Sequence, residues 1–346
     1  MRQVLTTGIL YGMHWTGLMA VFRQLFSGQA VIVMFHEIQR DFRHELMTGT
    51  SVELFQQCLS SLRRQGWKIV TLDECLHALS LGDPKAPRYA VITFDDGYRD
   101  VLSVALPILE QDNAPFTVYV PTAAPTRALK SWWLGMREIF RRADHVTIDP
   151  MGVRFDCSDF LSKKKGLKAV VKWVHEDYRR AALLDRTFET HRISLSALNA
   201  AYFMDERELQ ALSRHPLASI GGHSTSHAAL ATLDPSSARA ELEDNRMYLE
   251  TLLGLPVRHL AFPYGTPGAC GPREAHIAEQ VGFSTAVTTR KGHLDGASVN
   301  RFWLPRIGLG CHPRISFEAN LSGVHVAAQA VSNAVSVDLP LRSRAK

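Results

Sequence analysis

The chain has 346 residues, of which 46% are hydrophobic and 21% charged, an ordinary composition for a globular protein with a sizeable core. The net charge of +5 is a mild basic excess and no nucleic-acid-binding module is present, so a solvated basic face is favoured over contact with a polyanion or a membrane surface. No CxxC pair occurs among the five cysteines (Cys58, Cys75, Cys157, Cys270 and Cys311), which argues against a zinc knuckle or a disulfide framework and favours a reducing compartment.

The N-terminal residues 1–30 predict a helix whose surroundings the sequence leaves open. No Lys, Arg, Asp or Glu occurs between Arg2 and Arg23, and residues 4–22 are long enough to span a bilayer. Threonines and glycines make this stretch less apolar than a typical membrane span, which favours a helix packed on the protein or lying on a membrane surface. A membrane anchor and a signal peptide cleaved after Ala30 are the alternatives.

Beyond residue 30, short apolar runs alternate with helical patterns. The runs that predict strands are 31–35, 69–71, 90–94, 116–120, 218–221, 259–262, 284–289 and 303–307. The patterns that predict helices are 52–65, 73–81, 99–111, 235–253 and 272–281. This alternation is typical of an α/β fold with a mostly parallel sheet, and seven or eight strands suit a closed (β/α) barrel. Functional side chains are then expected at the C-terminal ends of the strands.

Residues 129–205 interrupt the alternation. They are rich in Arg, Lys and Trp, and most of their pattern is helical. We therefore predict a helical insertion over one rim of a barrel domain that spans residues 31–322. The segment 323–346 becomes small and polar with a basic end, and predicts a loosely held tail.

Two short motifs after strand-like runs carry candidate chemistry. The motif Thr-Phe-Asp-Asp-Gly places the adjacent carboxylates Asp95 and Asp96 at a strand end where the chain turns. The motif His-Ser-Thr-Ser-His places His223 and His227 four residues apart after another such run. Two imidazoles and one carboxylate are a three-ligand set for a divalent metal with an open coordination position, and the spare carboxylate can act as a base. Together the motifs predict a metal-dependent hydrolase.

A third motif, Phe-Pro-Tyr-Gly, ends at Gly265 after a further strand-like run. In this order the three motifs resemble those of the polysaccharide deacetylase family, which is carbohydrate esterase family 4 with its NodB-homology domain and includes chitooligosaccharide deacetylase. The likeness covers about residues 31–310, apart from the insertion. It implies a distorted (β/α) barrel of the NodB-homology (glycoside hydrolase/deacetylase) type. It also implies hydrolysis of the N-acetyl group of an amino sugar in a chitooligosaccharide-like glycan, with release of acetate.

The resemblance assigns a metal-binding role to three residues. In this sequence Asp96, His223 and His227 match the positions that bind a divalent metal in the family. Two imidazole nitrogens and a carboxylate oxygen suit zinc, and also cobalt or nickel, so zinc is the favoured ion.

The resemblance also assigns roles around the reacting carbonyl. Asp95 matches the base, and Arg306 resembles the arginine that steadies it. The backbone N–H of Tyr264 matches the donor that stabilises the oxyanion. The family often carries an arginine two residues before the proline of the third motif, whereas Ala261 stands there in this chain, so the steadying of the base is left to Arg306.

The general acid is the least defined role. Residues 31–37 resemble a segment of the biofilm-polysaccharide deacetylases that carries a histidine after the first strand, which favours His36 as the acid. An imidazole titrates near neutral pH and can protonate a leaving amine. Many family members use a late histidine instead, for which His325 is the candidate, although its neighbours match poorly.

Two alternative functions stay open at this stage. The same fold could hydrolyse another linear or cyclic amide, or the chain could bind carbohydrate without catalysis. Trp132, Trp133 and Trp303 fit either the core or a groove where sugar rings stack. The expected partner is an N-acetylated oligo- or polysaccharide, with no nucleic acid. We expect a cytoplasmic or inner-surface location, with peripheral membrane contact through the N-terminal helix.

Overall fold

A computed structural model describes residues 2–40, 46, 49–83, 85–296, 299–309 and 314–324. Within them the strands β1 to β12 are, in chain order, Ala30–Phe35, Ile38–Gln39, Thr50–Ser51, Trp67–Ile69, Arg88–Phe94, Phe116–Val120, His145–Ile148, Val153–Asp156, Ala218–Gly222, His259–Ala261, Thr285–Val287 and Ile307–Gly308. The helices α1 to α13 are Arg2–Trp15, Leu18–Phe26, Val52–Arg64, Leu72–Ser80, Leu106–Gln111, Trp132–Arg142, Phe160–Glu176, Asp185–Thr190, Leu195–Tyr202, Glu206–Ser213, Pro235–Leu253, Pro272–Val281 and Arg314–Leu321.

Eight of these strands form one parallel sheet. Its order is β11-β10-β9-β6-β5-β1-β12, and β4 pairs with the start of β5. A parallel bridge between Val287 and Leu304 joins β11 to the segment that leads into β12, so the two ends of the sheet approach each other. The sheet therefore curls into an incomplete barrel surrounded by helices, which confirms the predicted α/β barrel. Because the strands are parallel, all their C-terminal ends lie on the same rim.

The two faces of the strands are both buried, as expected where helices cover a parallel sheet. In β5, Val91 packs with Ile32 and Tyr119 in a cluster that α4 also joins. Ile92 and Phe94 belong to the larger core beneath the other helices. Since side chains alternate along a strand, Asp95 continues the face of Val91 and reaches the barrel interior at the rim.

One predicted helix is divided in the structure. The pattern over 99–111 becomes a π-helical turn, Val101–Ala105, followed by α5. Pro107 has no N–H to donate to Ser103 four residues earlier, which interrupts the α-helical ladder. The carbonyl of Ser103 accepts a hydrogen bond from Arg40 Nη2 at 3.1 Å instead. The patterns over 235–253 and 272–281 match α11 and α12 in both bounds.

Between β6 and β9 the chain forms helices and an additional hairpin with their own apolar core. The antiparallel pair β7–β8 turns at Gly152 and was not predicted, although Val146 and Ile148 are buried between exposed neighbours in the alternation typical of a strand. Trp132, Val146 and Phe188 belong to the same buried cluster. The bounds of the predicted insertion, 129–205, and of the predicted barrel domain, 31–322, stay predictions.

The N-terminal segment is not the single helix that its sequence predicts. It forms α1 and α2, which are separated at Gly17 in the left-handed conformation (φ 74°). Met19 packs there against Ile315 and Ala319 of α13. None of the described helices combines the length and the apolar character needed to cross a membrane. Cys311 lies outside the described residues, and so do His325 and the rest of the predicted tail beyond residue 324.

Candidate active site

The C-terminal rim of the barrel surrounds a cavity of about 320 Å³. Six of the seven predicted site residues line it: His36, Asp95, Asp96, His223, His227 and Tyr264. The seventh, Arg306, precedes β12 and reaches Asp95 from behind the cavity wall. The fold thus brings together side chains that follow β1, β5, β9 and β10, from His36 to Tyr264, up to 228 residues apart in the sequence.

Asp96, His223 and His227 form a buried cluster with the features of a cation site. One atom from each residue can be chosen so that all lie within 4.8 Å of one another. Asp96 Oδ1 lies 3.4 Å from His223 Nε2 and 3.3 Å from His227 Nε2, yet it has no hydrogen bond of normal geometry among the described residues. Burial alone would raise the pKa of Asp96, but the two imidazoles hold it well below its usual value. An ionised buried carboxylate with an orphaned oxygen between two imidazoles fits a divalent cation.

His223 is oriented by a second group. Its Nδ1 donates to the carbonyl oxygen of Ala261 at 2.7 Å, which turns Nε2 toward Asp96. Such a contact is typical of histidines that bind metals, because it fixes both the tautomer and the plane of the ring. Ala261, which departs from the family pattern in its side chain, contributes here through its backbone.

His227 is held differently. Its Nδ1 is buried without a hydrogen-bond partner among the described residues. The ring instead lies between Trp133 of α6 and Tyr264, with centroid distances of 4.9 and 4.7 Å. Trp133 Nε1 donates to the hydroxyl of Tyr98 at 2.9 Å, and Trp132 Nε1 donates to that of Tyr264 at 3.0 Å. Aromatic packing from the predicted insertion therefore replaces a polar contact in positioning His227.

Helix α11 shapes the loop that carries both histidines. Glu241 accepts hydrogen bonds from the N–H groups of Thr225 and Ser226 at 2.9 and 2.8 Å. Asn245 accepts from the N–H of His223 at 3.2 Å, and a Cβ at Gly222 would meet its side chain at 2.4 Å. Sequence reasoning missed both polar residues of α11, because helix patterns do not indicate which polar side chains face inward.

Backbone strain concentrates at this rim. Four non-glycine residues of the site adopt positive φ values between 58° and 70°: Asp96, Ser224, His227 and Tyr264. This region is costly for residues with a Cβ, by roughly 1–3 kcal/mol each, and persists where the surrounding structure enforces it. The clustering of strained residues around one cavity indicates a functional site.

Asp95 and Arg306 form a fully buried ion pair. Arg306 Nη1 and Nη2 each donate to one carboxylate oxygen of Asp95 at 2.7 Å, and Arg306 Nε donates to the carbonyl of Thr288. Burial alone would raise the pKa of Asp95, but the adjacent guanidinium outweighs it and the pKa is lowered. Asp95 is therefore a carboxylate at neutral pH. His36 Nε2 lies 3.9 Å from Asp95 Oδ2 and its side chain is partly exposed to the cavity.

The structure also places residues at the cavity that sequence reasoning did not select. Glu37 lines it and accepts two hydrogen bonds from the buried guanidinium of Arg137, which fastens α6 to the end of β1. His175 of α7 also lines the cavity. The position of Glu37 directly after His36 at a strand end was an available signal, whereas nothing local marks Arg137. Trp303 packs against Phe262 and is not among the residues that line the cavity.

Solved structures with the same fold include two that are described as deacetylases. The deacetylase PplD of Streptococcus pyogenes, solved with acetate, is 19% identical with a TM-score of 0.55 over 82% of this chain and 93% of its own. IcaB from Ammonifex degensii is 17% identical, also with a TM-score of 0.55, over 86% and 97%. BC0361, a polysaccharide deacetylase from Bacillus cereus, is 13% identical with a TM-score of 0.54 over 85% and 69%. At these identities the likeness establishes the fold.

The sequence itself establishes the family. No curated protein is significantly similar to the chain over its sequence. The family pattern described as "Polysaccharide deacetylase" matches residues 82–286, which is more than half of the 346 residues and includes all three motifs. The resemblance inferred from those motifs is thereby confirmed: the chain belongs to the polysaccharide deacetylase family.

Proposed function

We propose that this protein is a metal-dependent deacetylase that removes the acetyl group from an N-acetylated amino sugar in an oligo- or polysaccharide. One observation carries the proposal. A carboxylate kept ionised by a buried arginine, Asp95, lies directly beside the Asp96–His223–His227 cluster, and both open onto one cavity. A base next to a cation site is the arrangement that amide hydrolysis by water needs.

The cation cluster would provide the electrophilic part of the site. Asp96, His223 and His227 would hold a divalent ion, for which zinc is favoured by two nitrogen donors and one oxygen donor. When bound, such an ion lowers the pKa of a water molecule and polarises a carbonyl oxygen. The three residues keep the ligand atoms together before any ion arrives, because the loop is fixed by α11.

The remaining residues would move protons and stabilise charge. Asp95 takes a proton from the attacking water, and Arg306 keeps its carboxylate oriented toward the cavity. The N–H of Tyr264, in a strained turn, donates to the oxyanion that forms on the acetamide carbonyl. His36 then protonates the amine as the C–N bond breaks, which leaves a free amino sugar and acetate.

The shape of the cavity supports a carbohydrate substrate. Aromatic side chains form much of its wall: Phe35, Tyr98, Trp132, Trp133 and Tyr264. Aromatic faces pack well against the C–H faces of sugar rings, while hydroxyl groups of the tyrosines can hydrogen-bond sugar hydroxyls. Its volume is at the lower end of the range for small-ligand sites, so we infer that one acetylated residue enters at a time.

Acetate release from N-acetylglucosamine oligomers of several lengths tests this proposal. The zinc-loaded protein should release acetate, and treatment with a chelator should abolish the release until zinc is restored. A chain-length dependence would begin to define the glycan. No release from any oligomer, although the protein holds one equivalent of metal, would redirect the search to other amides or to a binding role.

The packing around His227 gives a separate prediction. Trp133→Ala removes one of the two rings that hold this imidazole, so we expect the affinity for zinc to fall by roughly 10–100-fold, as is typical for outer partners of metal ligands. Trp133→Phe keeps a ring there and should retain most of the affinity. Competition for zinc against a coloured chelator measures the affinity of each variant.

Thermal unfolding of the metal-free variants separates a local effect from a general one. Trp303→Ala is the matched control, because this tryptophan packs on Phe262 away from the cavity lining. It should lower the melting temperature without a comparable change in zinc affinity. Equal zinc affinity in Trp133→Ala and the unaltered protein would show that the aromatic contact does not position His227.

A further inference from the structure

Exposed apolar side chains concentrate on the two N-terminal helices. Among the described residues, half of the large apolar side chains that are exposed lie between residues 9 and 26: Ile9, Tyr11, Trp15, Leu18, Val21, Leu25 and Phe26. Trp15 is 85% exposed and Leu25 70%. Single exposed apolar residues need no explanation, but seven of them on one helix pair mark an interaction surface.

The fold fixes which face of these helices is free. Leu10, Met13 and Met19 pack with Ile315 and Ala319 of α13, so one side of α1 and α2 is anchored to the barrel.

On α2, Leu18, Val21 and Leu25 follow the i, i+3, i+7 spacing and so share one face. Met19 and Arg23 of the same helix lie on another side: Met19 is buried against α13, and Arg23 is partly buried. The apolar stripe is therefore held away from the body of the protein by a docked helix pair.

A positively charged cavity adjoins the turn between α1 and α2. It has a volume of about 390 Å³ and is lined by His14, Arg23, Arg64, Arg314 and Glu318 among others. Glu318 is the single carboxylate in this lining, and it pairs with Arg314 at 3.2 Å and with Arg64 at 3.8 Å. The guanidinium of Arg23 donates to no described residue. Three arginines against one carboxylate leave the cavity with an excess of positive charge.

We propose that this surface binds an anionic phospholipid bilayer, with the apolar stripe among the acyl chains and a headgroup phosphate in the arginine-lined cavity. Residues 2–26 contain no Asp or Glu, which suits contact with negative lipid and not with a basic partner. Leucines on one side of α2 and a highly exposed tryptophan at the end of α1 are side chains typical of helices that lie in the membrane interface. The inference does not depend on the deacetylase reaction.

Vesicle flotation with the full-length protein tests the proposal. The protein should float with phosphatidylcholine vesicles that contain phosphatidylglycerol, and less with phosphatidylcholine alone or at raised salt. Leu18→Ser/Leu25→Ser should lower the partition coefficient by at least about tenfold, because two side chains no longer leave water. Arg23→Gln should lower it by roughly fivefold on the anionic vesicles and hardly at all on the neutral ones.

The matched control is Leu161→Ser on α7, since Leu161 is 76% exposed but lies outside this surface. It should float like the unaltered protein. Inorganic phosphate at matched ionic strength should not displace the protein, since a free ion offers no apolar contact. Failure to float with either vesicle, displacement by phosphate, or a dimer in solution that Leu18→Ser/Leu25→Ser converts to a monomer would overturn the proposal.

Discussion

Replacing Asp95 by asparagine should lower kcat for acetate release by roughly 10²–10⁴-fold, the range that a positioned proton acceptor contributes. The amide keeps the size of the side chain but cannot take a proton from water. Zinc affinity should change much less, because Asp95 lies outside the group of three residues that surround the cation position. Steady-state kinetics on an N-acetylglucosamine oligomer, together with zinc titration of the same samples, measure both effects.

The control for this variant is Asp149→Asn, which alters an exposed carboxylate far along the chain from the three motifs. It should leave kcat and zinc affinity unchanged. If Asp95→Asn keeps kcat within a few-fold of the unaltered protein, another group is the base. If it loses zinc together with activity, Asp95 acts through the cation site and the assignment of a separate base fails.

Replacing Arg306 by methionine should destabilise the protein by about 3–5 kcal/mol, the usual result of removing one partner of a buried ion pair. Arg306 is completely buried, and both of its terminal nitrogens donate to Asp95. Without Arg306, the carboxylate of Asp95 stays buried away from water but has lost the positive charge that offsets the cost of this burial. Urea unfolding at neutral pH measures the change in the free energy of unfolding.

Arg306→Met should also change how activity and stability depend on pH, and the direction of each change can be stated. In the unaltered protein the pKa of Asp95 is lowered, so its ion pair stabilises the fold above the ordinary carboxyl pKa, and this stabilisation is lost as the pH falls through the lowered value. In Arg306→Met burial dominates and raises the pKa of Asp95. Activity should therefore begin to fall at a higher pH on acidification, and stability should now decrease as the pH rises through the raised pKa.

A double variant separates these effects from general damage to the core. Arg306→Met/Asp95→Asn removes both charges, so it should recover part of the stability lost in Arg306→Met while staying inactive. No recovery would indicate that Arg306 matters for packing around Thr288 and Tyr119 more than for the charge of Asp95. If the activity of Arg306→Met falls on acidification at the same pH as that of the unaltered protein, Arg306 does not control the pKa of Asp95.

Much of the fold followed from local pattern. The runs over 116–120, 235–253 and 272–281 coincide with observed elements, because apolar periodicity, Pro235 at a helix start and Gly254 at its end act within a few residues. The division of residues 99–111 and the break at Gly17 were missed. A single proline or glycine can be tolerated inside a helix, so whether it interrupts one depends on the packing around it.

The sequence by itself determined the candidate chemistry: the order of its three motifs selected the polysaccharide deacetylase family, and each motif placed its polar residues behind a strand. Only the tertiary structure decided how those residues are held. Arg137 against Glu37, Asn245 beneath His223 and Trp133 beside His227 join segments between 22 and 100 residues apart. Such contacts depend on the path of the whole chain around the barrel and not on neighbouring residues. Local sequence patterns therefore do not predict them.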